Sequence, residues 1–189
     1  MRKPEGYENA PSYMGGEGGP QLPPGGYICK IKQAREETTQ GGYWMLAVAF
    51  DIAEGPMAGF YEAQFKERIK RDDNAKWPGV YRQGIQNKEG KCSPFFKGMI
   101  TAIEQSNPGY TFDFNESTLT GKVFGGVFAP EEWMNQQGEL RTSVKLQQFR
   151  SAQAIRDGDY KVPDTKRAAG SPAGMQAPAP AAAHEPCPF

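Results

Sequence analysis

Apolar and polar residues alternate in several short stretches of the chain, and this alternation predicts β-strands. The first stretch is YICKIKQA, from Tyr27 to Ala34, and the second is YWMLAVAFDI, from Tyr43 to Ile52. Because successive side chains of a strand point to opposite faces, such a pattern indicates one buried and one exposed face. On this pattern Trp44 belongs to the buried face. The glycine-containing turn TTQGG between the two stretches predicts a β-hairpin.

Two later stretches carry a similar signal. LTGKVFGGVFA predicts a strand in which Gly125 and Gly126 form a bend or a bulge. ELRTSVKLQQF alternates again and predicts the last strand. EEWMNQQGE, which lies between them, is interpreted as the tip of a loop.

SPFFKGMITAIEQSNPG predicts the main helix of the protein. Ser93 is suited to cap this helix, Pro94 fits its first turn, and Asn107-Pro108-Gly109 ends it. Its apolar residues predict a helix face in the core, with Phe95 also assigned to the core; the stripe is Phe96, Met99, Ile100 and Ile103. FYEAQFKERIKR is compatible with a short helix or an irregular strand. The polar stretch 72–92 predicts a long loop with one short extended piece.

Four or five short strands, glycine bends and one main α-helix predict a mainly β protein with a small OB-fold-like β-barrel. The boundaries follow the composition. Residues 1–21 are rich in glycine and proline and predict a flexible arm, residues 22–163 form the predicted domain, and residues 164–189 form a disordered Pro/Ala-rich tail. The tail contains too few apolar side chains to fold on its own.

Charge and cysteine content narrow the functional classes. The chain has 22 basic and 22 acidic residues, so no overall field attracts nucleic acid or membrane. No apolar run approaches the ~20 residues of a membrane helix, and no secretory signal is evident. The three cysteines are widely spaced and predict no disulfide framework, which favours a reducing cytoplasm.

Catalytic motifs are not found in the sequence. The single histidine, His184, lies in the predicted tail, and the chain lacks the nucleophile-elbow, P-loop and dinucleotide-binding patterns. Cysteines and histidine have no metal-ligand spacing in the predicted domain. We therefore predict a protein that is not an enzyme and needs no cofactor or metal. A metal-dependent nuclease built from scattered carboxylates is the remaining catalytic alternative, with Asp51, Asp72, Asp73 and Asp113 as its candidates.

Cationic residues on the predicted outer strand faces favour binding of single-stranded DNA. If the strands are neighbours, these cations meet on one wall and neutralise phosphates; they are Lys30, Lys32, Arg141 and Lys145. Aromatic side chains near them would stack bases, and the candidates are Tyr43, expected beside Lys30 and Lys32 across the hairpin, with Trp77 and Tyr81 in a loop flanked by Lys76 and Arg82. Two simpler interpretations stay open: the lysines are merely solvated, and Trp77 folds back onto the domain.

The last residues, Pro188 and Phe189, resemble the tip of bacterial single-stranded DNA-binding proteins. In that family an OB-fold is followed by a disordered linker and an acidic tip ending in Pro-Phe, which recruits replication and repair enzymes. This chain departs from the pattern because Glu185 is the only acidic residue of the tip. The resemblance implies that Pro188 and Phe189 bind a protein partner, with the ring in an apolar pocket.

Residues 22–163 resemble small OB-like proteins of phages and mobile elements, in the stretches LPPGGYICKI, LAVAFDIAEG, KWPGVYRQ, FFKGMITAIEQSNPGY and LTGKVFGGVF. The resemblance implies sequence-tolerant binding of single-stranded DNA during replication or recombination in the host cytoplasm. The alternative is an adaptor that recruits proteins to a replication or recombination complex. The sequence does not decide whether the protein forms a homo-oligomer.

Overall fold

The computed structural model of the chain describes residues 20–135 and 137–168. The five strands are β1 (Gly25–Thr38), β2 (Trp44–Ile52), β3 (Val80–Gly84), β4 (Val123–Met134) and β5 (Leu140–Arg150). The three α-helices are α1 (Phe60–Ile69), α2 (Pro94–Ser106) and α3 (Ala152–Arg156), and a 3-10 turn spans Glu116–Leu119. The prediction of a mainly β fold is confirmed, and the segment left open as helix or strand is helix α1.

All five strands belong to one antiparallel sheet in the order β3-β2-β1-β4-β5. The main helix α2 lies between β3 and β4 in the chain. This arrangement is consistent with an OB-fold-like barrel that is not closed, because no pairing joins β3 to β5 within the described residues. The rings of Tyr81 on β3 and Phe149 on β5 are in contact, with their centroids 5.1 Å apart. The sheet therefore stays open between these two edges.

The core lies between the concave face of the sheet and α2. Its fully buried members include Ile31 of β1 and Phe124 and Phe128 of β4. The predicted apolar stripe of α2 is buried against them, with Phe96, Met99, Ile100 and Ile103 all at most 6% exposed. Phe95 was predicted to join this core, and that prediction is wrong: the side chain is 78% exposed because it lies in the first turn of the helix, to one side of the apolar stripe.

Helix α2 ends where the sequence predicted. Ser93 holds the N-cap position, although its side chain makes no capping hydrogen bond. At the other end, the Asn107 amide donates to the carbonyls of Ile103 and Val123, and its oxygen accepts from the Val123 amide. The side chain of Asn107 thus ties the end of the helix to the start of β4.

The predicted hairpin of β1 and β2 is confirmed, and Thr38 pairs with Trp44 next to the turn. A register shift between Ile31 and Gln33 leaves Lys32 as an extra, exposed residue of a β-bulge. The prediction that Trp44 is buried is wrong, because it is the first residue of β2 and its ring extends past the end of the core. Trp44 is 39% exposed.

The glycine pair in β4 serves close packing. A Cβ atom at Gly125 would lie 2.6 Å from the carbonyl oxygen of Ser151, and one at Gly126 would lie 2.9 Å from Leu146 Cδ1. The predicted bulge occurs two residues further on, between Val127 and Phe128. The loop predicted at EEWMNQQGE is shorter than expected, because pairing with β5 continues β4 as far as Met134.

Helix α1 is held by a buried carboxylate. Asp51, at 3% exposed, accepts hydrogen bonds from the amides of Ile52 (2.8 Å), Tyr61 (2.9 Å) and Glu62 (3.0 Å). The N-cap residue Gly59 has no side chain to do this. Asp51 therefore caps α1 from the neighbouring strand. Among the described residues, no helix has the length and apolar character needed to cross a membrane.

Candidate nucleic-acid interface

A cleft with a volume of about 1060 Å³ fills the opening between the edge strands β3 and β5. One wall consists of residues 78–82 together with one side of α1, and the other wall consists of residues 140–147 of β5. The end of β4 adds Glu131 and Trp133. The cleft is thus built by segments from both halves of the chain, at the place where the barrel is not closed. We call this site the cleft.

Positive charge dominates the lining of the cleft. Five cationic side chains but only one carboxylate, that of Glu131, line it; the cations are Arg68, Arg82, Arg141, Lys145 and Lys166. They come from α1, β3, β5 and the segment after α3. A protein with equal numbers of acidic and basic residues therefore has a locally cationic groove, which attracts polyanions.

The central carboxylate Glu131 holds two of these cations. Its oxygens lie 2.9 Å from Lys166 Nζ and 3.6 Å from Lys145 Nζ. The hydrogen bond from Lys166 lowers the pKa of Glu131, with a further contribution from the charge of Lys145. Backbone hydrogen bonds from Lys166 to Pro130 and from Glu132 to Lys166 fix the segment that carries this lysine. The carboxylate of Glu131 therefore partly neutralises both lysines.

The two arginines of the strands also have carboxylate partners. Arg82 pairs with Glu37 at 2.8 Å, and Arg141 pairs with Glu139 at 2.6 Å. These hydrogen bonds lower the pKa of each of the two glutamates. Neither glutamate lines the cleft. Because exposed ion pairs contribute little stability, separating either of these pairs costs little free energy.

Aromatic side chains line the same cleft. Trp133 is 43% exposed and lies directly opposite Arg141 in the β4–β5 pairing, so both side chains are on one face of the ribbon. Tyr81 is half-buried, and its hydroxyl hydrogen-bonds to Gln83. Burial raises the pKa of Tyr81, so this phenol is neutral at physiological pH. An exposed indole beside an arginine is the combination that stacks a base next to a bound phosphate.

One polar atom in the cleft has no partner. The hydroxyl of Ser143 is the single buried side-chain nitrogen or oxygen atom without a hydrogen-bond partner in the part of the chain that the structure describes. Ser143 lines the cleft and lies opposite Glu131 in the β4–β5 pairing. A ligand oxygen that reached this position would accept its hydrogen bond.

The segment Pro20–Leu22 crosses between the two walls of the cleft. The Gln64 amide of α1 donates to the carbonyl of Pro20 (2.7 Å), and the Gln21 amide donates to the carbonyl of Thr142 in β5 (3.3 Å). Leu22 is 2% exposed and belongs to the core cluster. These contacts link the two walls where strand pairing does not.

The expected meeting of the four strand cations on one wall is only half correct. Arg141 and Lys145 line the cleft, but Lys30 and Lys32 do not. In the sheet Lys30 pairs with Val123 and Lys145 with Ala129, six residues further along β4. This places Lys30 and Lys145 ~20 Å apart along the strand direction. Lys32 lies beside α1, with its amine 3.7 Å from Glu62.

The loop and turn candidates divide in the same way. Tyr81 and Arg82 line the cleft, whereas Lys76 is exposed outside it. Of the two interpretations of Trp77, the structure has the ring folded back: its indole donates to the carbonyl of Phe50 at 2.9 Å and packs on Phe65. Tyr43 is 65% exposed at the hairpin turn. It was expected beside Lys30 and Lys32, which is wrong because the hairpin pairs Lys30 with Asp51, at its other end.

Three cleft residues were missed in the sequence. Lys166 was assigned to the tail, and Trp133 was assigned to a loop tip. Arg68 lies in the stretch whose helix or strand character was undecided. One local signal could have identified Trp133: the sequence EEW beside an alternating strand. A tryptophan in a hairpin that extends past the core is exposed.

The carboxylates considered for metal chemistry do not come together. Both oxygens of Asp51 are occupied by backbone amides, and no group of three or more metal-ligating side chains occurs among the described residues. Cys29 is buried and Cys92 is exposed, both as free thiols. The predicted partner-binding residues Pro188 and Phe189 lie outside the described residues, as do His184 and Cys187.

The sequence was also compared with known proteins. It matches no protein-family model and no curated protein. The geometry of the cleft is therefore what bears on function.

Proposed function

We propose that the protein binds single-stranded DNA in the cleft, with little preference for sequence, as a component of phage or mobile-element replication or recombination. The observation that carries this proposal is the convergence of five cations and an exposed tryptophan in one open groove. Arg82, Arg141 and Lys145 neutralise phosphates, and Trp133 stacks a base. Because phosphates and base faces occur in every sequence, such contacts do not discriminate between bases.

The ion pairs of the cleft define how binding proceeds. Four cations of the cleft are already paired with carboxylates; they are Arg82, Arg141, Lys145 and Lys166. Each of them gives up its carboxylate when it takes a phosphate, so one ion pair replaces another. The net gain per contact is smaller than for a free cation. Binding is therefore expected to be reversible. It is also expected to depend strongly on salt, because the contacts neutralise phosphates.

Titration of a labelled oligo-dT of about 20 nucleotides at about 50 mM and about 200 mM salt tests the proposal. With up to five cations and about −0.7 per neutralised phosphate of a single strand, the slope of log K against log salt is expected between about −2 and about −3.5. Trp133→Ala is expected to weaken binding about tenfold, because a stacked base contributes ~1–3 kcal/mol.

Trp44→Ala is the matched control for this variant. Trp44 has nearly the same exposure, 39% against 43%, but does not line the cleft. Its replacement should leave oligo-dT affinity within about twofold of wild type. A slope near zero, or equal losses in the two variants, would contradict the proposal.

Replacement of the central carboxylate should strengthen binding. Glu131→Gln removes the partner of Lys145 and Lys166 while it keeps the shape of the side chain. We expect oligo-dT affinity to rise about threefold to fivefold, in line with the ~0.2–1 kcal/mol of an accessible ion pair. Glu54→Gln, which frees Arg156 outside the cleft, serves as the control and should change nothing. Unchanged affinity in Glu131→Gln would mean that these two lysines do not contact the DNA.

A further inference from the structure

A second concave site lies at the other end of β2 and β3, and no residue lines both sites. It has a volume of about 300 Å³ and a lining that includes four aromatic rings, and we call it the aromatic pocket. Its walls include Trp44, Ile85, Phe96, Phe112 and Phe114. In β2 the cleft uses Phe50, whereas the aromatic pocket uses Trp44 and Leu46. A concave, mostly apolar site of this volume is at the lower end of the range of ligand pockets, about 300–1,000 Å³.

Phe114 at the mouth of this pocket is held in an unfavourable conformation. Its φ of 61° is the one positive value of a non-glycine residue in the described part of the chain, and its side chain is 84% exposed. The turn around it is fixed by side chains: Asp113 accepts from the Asn115 amide, and Asn115 accepts from the Ser117 amide. The ring of Phe114 contacts that of Phe112, with the centroids 5.4 Å apart, but it gains little burial in return for the positive φ. Such local strain is typical of functional positions.

Two carboxylates flank the aromatic pocket without a partner. Glu36 lies opposite Leu46 in the β1–β2 pairing, and Glu116 begins the 3-10 turn. No ion pair or side-chain hydrogen bond to either carboxylate occurs among the described residues, whereas Glu37 and Glu131 are both paired with cations. The pocket therefore presents apolar rings beside uncompensated negative charge, the opposite of the cationic cleft.

We propose that the aromatic pocket docks a segment of a partner protein in which a large apolar side chain is flanked by lysine or arginine. The apolar side chain enters between Trp44 and Phe114, and the basic residues pair with Glu36 and Glu116. A polynucleotide is the wrong ligand here, because its phosphates would face two carboxylates. The inference does not rest on DNA binding in the cleft, and it places protein recruitment on the folded domain.

Two fluorescein-labelled peptides of about 12 residues test this proposal. They share the same leucine and phenylalanine positions, and one carries lysine where the other carries glutamate. The full chain should bind the lysine peptide at least about tenfold more tightly than the glutamate peptide. The lysine peptide should also slow alkylation of Cys92, which is exposed and lines the pocket, relative to alkylation of Cys187 in the same chain.

Two variants locate the binding. Glu36→Gln/Glu116→Gln should remove the preference for the lysine peptide, whereas Asp159→Asn/Asp164→Asn, which makes the same charge change outside the pocket, should keep it. Phe114→Gly should weaken both peptides at least about fivefold while the melting temperature stays equal or rises, because glycine relieves the positive φ. Equal binding of the two peptides, no binding, no protection of Cys92, or a loss of oligo-dT affinity in Phe114→Gly would each overturn the proposal.

Discussion

Replacing Arg141 and Lys145 together by alanine is expected to weaken oligo-dT binding roughly 30-fold. A charge-assisted hydrogen bond contributes about 1.5–3 kcal/mol, and part of this is offset because each cation gives up a carboxylate when it binds phosphate. About 1 kcal/mol then remains for each contact. The salt slope should also fall by about 1.4, since two phosphates are no longer neutralised.

The matched control for this variant is Lys30→Ala/Lys32→Ala. It removes the same charge from β1, on lysines that do not line the cleft. If the cleft is the interface, this control keeps both the affinity and the salt slope of wild type. If the two double variants lose affinity equally, the strand cations act as one outer surface, and the cleft is not the binding site. Titration at several salt concentrations separates these outcomes, because the slope counts the phosphates contacted.

Replacing Asp51 by alanine is expected to destabilise the protein by about 3 kcal/mol. Three backbone amides lose their acceptor at a site that is 3% exposed, and each buried donor left without a partner costs ~1–3 kcal/mol before relaxation and water entry reduce the total. Helix α1 would lose its cap, and with it the position of Tyr61, Gln64 and Arg68 in the cleft wall. Urea denaturation followed by circular dichroism measures the loss.

Two further substitutions make this prediction specific. Asp51→Asn keeps one acceptor oxygen and should lose roughly half as much stability. Asp72→Ala removes an exposed carboxylate that accepts from the Asn74 amide within a turn, and it should cost less than about 1 kcal/mol. A loss below about 1 kcal/mol in Asp51→Ala would show that α1 does not depend on this carboxylate.

The hairpin and the main helix could be predicted because their signals are local. The alternation in β1 and β2 and the stripe of α2 each report which face is buried, and tertiary packing agrees with them. Trp44 and Phe95 were misassigned because periodicity shows a face but not how far the core extends. The end of β4 was misassigned because its polar residues gain strand structure only from pairing with β5.

Only part of the candidate site could be predicted in the same way. Arg141 and Lys145 were found as cations at exposed strand positions, and Arg82 was found as a cation flanking a predicted loop. Lys166 and Trp133 could not be found in this way. Lys166 reaches the cleft through a β-bridge to β4, and Trp133 reaches it because pairing with β5 extends β4. Which of two cation pairs, Lys30 and Lys32 or Arg141 and Lys145, belongs to the site depends on distance along β4, and alternation contains no information on that distance.

By itself the sequence determined a mainly β domain, with one main helix, an apolar core and cations on exposed strand faces, because each of these follows from the order of residues within a single element. The tertiary structure decided which elements face one another. The sheet order makes β3 and β5 its two edges, so that Arg82 and Arg141 share a cleft although 58 residues separate them in the chain. The same order leaves Lys30 and Lys32 outside the cleft, with Lys32 beside Glu62 of α1. Contacts between distant segments depend on how strands pair, and residues near in sequence do not specify that pairing.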